Sequence, residues 1–143
     1  MPRANDRLLG TNIIMKNISQ DEAYAGMKWL INNYYSPKVF RERLCNMLEH
    51  FGSVDPSFLQ HNEPPREIAT EAYLMTQAVV KEMREGNEEE RGIWTHVENI
   101  LKQRPELSRV AAATLLFYKQ VRFMYENTEG FWDQTLVGRP LVL

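Results

Sequence analysis

The chain has 143 residues and one cysteine, and 17 Lys and Arg stand against 19 Asp and Glu for a formal net charge of −2. That length suits one ordinary domain with a core of its own, and the charge balance lacks the basic footprint that nucleic acid requires. The lone Cys45 excludes an intrachain disulfide and any zinc or iron–sulfur site built from several thiolates. It points to the reducing cytoplasm, and no run reaches the roughly 18 apolar residues of a membrane span.

In chain order, residues 1–18 hold one short apolar stretch, Thr11-Asn12-Ile13-Ile14-Met15-Lys16. Its β-branched pair suits an extended segment, yet it has no partner strand to join. Arg3 and Arg7 precede it without the long apolar run of a signal peptide. Ser19 followed by Glu22 is a capping box that opens a helix. Ala23, Met27, Leu30, Ile31 and Tyr34 then repeat at helical spacing and predict its buried stripe. Ser36-Pro37 starts a second helix, with serine as the cap and proline in the first turn. Its predicted stripe is Phe40, Leu44, Met47, Leu48 and Phe51, and Gly52 is placed to end it in a left-handed turn.

Pro56, Pro64 and Pro65 mark a loop, tacked to the core by Phe58 and Leu59. A third helix is predicted over 66–85 with Ile68, Ala72, Met75, Val79 and Met83 inward and Gly86 as its stop. Asn87 with Glu90 caps a fourth, whose acidic start, Glu88-Glu89-Glu90, suits the positive end of the helix dipole. Its stripe is Ile93, Val97, Ile100 and Leu101. Pro105 begins a fifth helix reaching about Asn127; Val110 to Tyr118 is apolar nearly all round, which predicts a central position. From Thr128 onward Gly130, Gly138 and Pro140 interrupt regular structure. Phe131, Trp132, Leu136, Val137 and the last three residues make that tail too apolar for free solvation.

Catalytic signatures are lacking in the sequence. The residues three before His50, His61 and His96 are Met47, Phe58 and Ile93, so the Glu-x-x-His of di-iron bundles does not occur. Neither does His-Glu-x-x-His, a phosphate loop, a Gly-x-Gly-x-x-Gly turn or a Gly-x-Ser-x-Gly elbow. Cys45 beside an apolar stripe reads as an inert thiol, and the basic trio Lys38, Arg41 and Arg43 as a solvated face. The many aromatics fit core packing better than a pocket for a flat or lipid-like ligand.

The run from Leu9-Gly10-Thr11-Asn12 through Lys16-Asn17-Ile18-Ser19, then Glu22 to Leu30, resembles the end of the core and the start of the C-terminal helical domain in cobalamin-binding radical SAM proteins. Tyr35-Ser36-Pro37 with Phe40 and Arg43 is similar to a Tyr-Ser-Pro-x-x-(Tyr/Phe)-x-x-Arg stretch in that family. The likeness covers Leu8 to about Phe51. It implies upstream domains of the same polypeptide that bind cobalamin, a three-cysteine iron–sulfur cluster and S-adenosylmethionine, and that act on unactivated carbon centres. This chain departs from the whole-family pattern, because one cysteine cannot write Cys-x-x-x-Cys-x-x-Cys and no Asp-x-His-x-x-Gly corrin-ligand motif occurs. A fragment of such a protein accounts for both absences.

The expectation is therefore an all-α bundle of about five helices with a short extended N-terminal segment and an irregular apolar C-terminal tail. Residues 1–18 are expected to be an exit segment from an upstream domain, 19–127 the bundle, and 128–143 a tail packing on the bundle or on a partner. The expected role is accessory, packing against a catalytic barrel and shaping substrate access, with no catalysis and no cofactor of its own. Asn12, Lys16, Asn17, Phe131 and Trp132 are the candidate interdomain contacts. The alternatives are a stand-alone helical interaction module and, behind it, a bundle that binds a small hydrophobic ligand.

Overall fold

The computed structural model describes residues 16–52 and 64–142, so Thr11–Met15, Phe58 and Leu59 lie outside the described residues. Among those described there are five α-helices and no strand: α1 Gln20–Tyr34, α2 Pro37–His50, α3 Arg66–Glu85, α4 Glu88–Gln103 and α5 Ser108–Glu126. Short 3-10 turns occur at Pro105–Leu107 and Gln134–Leu136. The chain is all-α, as its periodicity predicts.

Local chemistry sets the helix ends. Ser19 Oγ accepts from the Glu22 amide at 3.1 Å while the Glu22 carboxylate accepts from the Ser19 amide at 2.6 Å, completing the box that opens α1. Those bonds hold the Glu22 carboxyl below its ordinary value. Asn87 Oδ1 accepts from the Glu90 amide at 2.9 Å and caps α4. Gly86 permits the tight turn before it, since a Cβ there would stand 2.6 Å from Glu90 Oε2 and 3.1 Å from the Glu82 carbonyl. Two predicted end signals differ. Ser36 Oγ donates back to the Asn33 carbonyl at 2.9 Å. Gly52 has no positive φ, that conformation being confined to Gly130 and Gly138 among the described residues. The Arg104 guanidinium closes α2 instead, donating to the carbonyls of Leu48, Phe51 and Gly52 at 3.1, 2.8 and 3.2 Å. A cation is the natural complement to a helix C-terminus.

The chain divides into two compact units, Pro37–Val121 and Met1–Ser36 with Arg122–Leu143, so α5 supplies Ser108–Val121 to the first and Arg122–Glu126 to the second. In the first, α4 packs on both α2 and α3. Its core is Phe40, Leu44 and Leu48 of α2, Val80 and Met83 of α3, Ile93 and Val97 of α4, and Leu115 and Tyr118 of α5. The Phe40 and Tyr118 rings stack with centroids 4.0 Å apart. Lys119 bridges Glu82 and Glu90 at 2.7 and 3.0 Å. Burial alone would lower its pKa, but the two carboxylates outweigh that and hold the ammonium above the ordinary lysine value.

Four predicted stripes differ from the structure. Of the stripe predicted for α2, Phe40, Leu44 and Leu48 are buried but Met47 and Phe51 are exposed. The fifth helix is not wrapped on all sides: α5 buries the single row Ala111, Leu115, Tyr118, Val121 and Tyr125, while Phe117 and Phe123 are exposed. An apolar composition all round a helix leaves the choice of face to its partners. In α3 only Val80 and Met83 are buried, and every residue of Arg66–Met75 is exposed, including Ile68, Ala72 and Met75 of the predicted stripe. In α1, Leu30 and Tyr34 are exposed, and the buried residue is polar Asn32, at 0 % exposure.

Candidate functional site

Asn32 and its neighbour Asn33 organise the second unit. Each asparagine sends one amide N–H to the carbonyl four residues back in α1, Asn32 to Lys28 at 2.8 Å and Asn33 to Trp29 at 2.9 Å. The remaining capacity of both faces the C-terminal tail. Asn32 donates to the Phe131 carbonyl at 2.9 Å and accepts from the Asp133 amide at 2.7 Å. Asn33 donates to the Leu136 carbonyl at 3.0 Å and accepts from the Gly138 amide at 2.7 Å. Each therefore spans a carbonyl and the N–H two residues later, using donor and acceptor of one planar amide. Trp29 Nε1 extends the row by donating to the Arg139 carbonyl at 2.7 Å. All five of these contacts read main chain, so they satisfy the backbone groups that an irregular segment would otherwise leave unpaired on burial.

Side chains add position to this clamp. Phe131, at 0 % exposure, stacks on Tyr125 with centroids 4.3 Å apart and meets the Tyr24 ring edge-on at 5.9 Å. The Arg122 guanidinium lies 4.0 Å from the Trp132 ring centroid, donates to the Tyr35 carbonyl at 3.3 Å and pairs with Glu126. Lys28 Nζ stands 3.8 Å from Asp133 Oδ2. Asp133 also caps the following 3-10 turn through the Thr135 hydroxyl and amide at 2.7 and 3.0 Å. Those two bonds, with Lys28 and Arg139 nearby, hold its carboxyl below the ordinary value. Gly138, at φ 75°, turns the chain so that its N–H meets Asn33.

The predicted interdomain contacts thus separate. Asn12 lies outside the described residues, while Lys16 and Asn17 are exposed. Phe131 is consumed in the chain's own core and offers no outward surface, and Trp132 is partly covered beneath Arg122. Periodicity passed over Trp29, Asn32 and Asn33, the residues that hold the tail. One signal was available: two consecutive asparagines inside a helix are disfavoured unless their amides are employed.

A second feature is an open groove of about 670 Å³ in the other unit, lined by Glu49, Thr95, His96, Asn99, Gln103 and Arg104 among others. His96 Nε2 stands 3.7 Å from Glu49 Oε1, both about half exposed. The Thr95 hydroxyl is committed to the Arg91 carbonyl at 2.9 Å and the Arg104 guanidinium to the end of α2. The pair therefore has no free nucleophile beside it within the lining. A third feature is the exposed half of α3, where Ile68, Tyr73, Leu74 and Met75 face solvent together.

The donor set does not fit the cofactors implied by the family resemblance. Cys45 is the only cysteine. It is buried, and burial, with the charge of Glu49, pushes its thiol up to about 11 against the lowering effect of Arg41. Such a sulfur stays protonated and unreactive near neutrality. No three His, Cys, Asp or Glu side chains converge among the described residues. No step through a cluster, S-adenosylmethionine or cobalamin is assigned to this chain. No helix among the described residues is long and apolar enough to cross a membrane. No family model, no curated relative and no solved structure matches the chain.

Proposed function

We propose that this chain is the C-terminal helical accessory domain of a cobalamin-dependent radical SAM enzyme of the cytoplasm, packing against the catalytic barrel and shaping access to it while performing no chemistry itself. The observation that carries this reading is the motif run from Leu9 to Arg43. Its described residues have structural duties: Ser19 and Glu22 cap α1, Trp29 holds the tail, Pro37 opens α2, and Phe40 stacks on Tyr118. A motif made of caps, a turn and packing residues is what an appendage needs, since its task is to keep a shape beside a reacting centre held elsewhere.

The test has a genetic arm and a chemical arm. The in-frame coding sequence ahead of Met1 is expected to write Cys-x-x-x-Cys-x-x-Cys within a barrel-sized domain. The isolated chain, supplied anaerobically with iron, sulfide, reductant and S-adenosylmethionine, is expected to bind no stoichiometric cluster and to release no 5′-deoxyadenosine. Cluster binding or reductive cleavage by the chain alone overturns the reading. The second reading, a helical interaction module unconnected with such an enzyme, draws on the exposed apolar half of α3. An upstream sequence without the cysteine motif would favour it.

A further inference from the structure

We draw no further inference here: the strongest candidate, the apolar surface patch of Ile68, Tyr73, Leu74 and Met75 on the exposed N-terminal half of α3, carries nothing, because nothing in the structure shows what covers it.

Discussion

The C-terminal tail and the N-terminal half of α3 reverse the usual relation between regularity and burial. Residues 128–142 contain one 3-10 turn and no α-helix, yet they are tied to α1 by Asn32, Asn33 and Trp29 and anchored by a fully buried Phe131. Arg66–Met75 is regular helix, yet each of its residues is exposed. Order in the tail comes from tertiary bonds, whereas in α3 it rests on local propensity and on the anchored half beyond it. Short helices without a packed face are marginal in water, while an irregular segment is ordered where tertiary hydrogen bonds take up its backbone groups, as at Phe131, Asp133, Leu136 and Gly138.

Substitutions can break this contrast on either side. The largest effect is expected from Phe131→Ala, which empties the slot between Tyr24 and Tyr125 and should lower stability by about 3 kcal/mol, read by denaturant unfolding. Asn32→Leu should cost about 2 kcal/mol in the same assay, because the buried Phe131 carbonyl and the Asp133 amide lose their partner. Asn33→Leu should cost less, about 1 kcal/mol, since its contacts are part-buried or exposed and water can replace them. If the two asparagines prove equivalent, burial is not what distinguishes them.

A pH titration sharpens the picture from the tail side. Asp133 is held below its ordinary value by Thr135, with Lys28 and Arg139 assisting. Its contribution is therefore full above about pH 4, the unfolded carboxyl value, and is lost as pH falls through the lower folded value. The parent chain and Asp133→Asn should differ in melting temperature at pH 6 and converge toward pH 3. The smallest effect belongs to α3: Leu74→Lys with Met75→Lys should shift stability by no more than about 0.5 kcal/mol, because both side chains are already in solvent. A large loss there would mean that a cover exists in solution.

The same contrast explains how far the sequence could be read. Helix positions followed from caps and spacing because these are local: Ser19 with Glu22, Pro37 and Asn87 each act within a turn of their own residue. The choice of buried face was less legible. Ile68, Ala72 and Met75 share a stripe with Met83, but whether a stripe is covered depends on its partners, and in α3 burial is confined to Val80 and Met83. The clamp was least legible, since its partners are about a hundred residues apart and its currency is main-chain bonding, which hydrophobic periodicity does not register. The apolar character of Phe131 and Trp132 is visible in the sequence, whereas the polar Asn32 and Asn33 that hold their segment carry no periodic signal.

Native-state hydrogen exchange tests the central claim most directly, because it compares the two regions in one experiment on the unmodified chain. The amides of Asp133 and Gly138, in a segment without α-helix, are expected to exchange more slowly than those of residues 70–75 in the exposed half of α3. Faster exchange at Asp133 and Gly138 than in that helix would contradict the account.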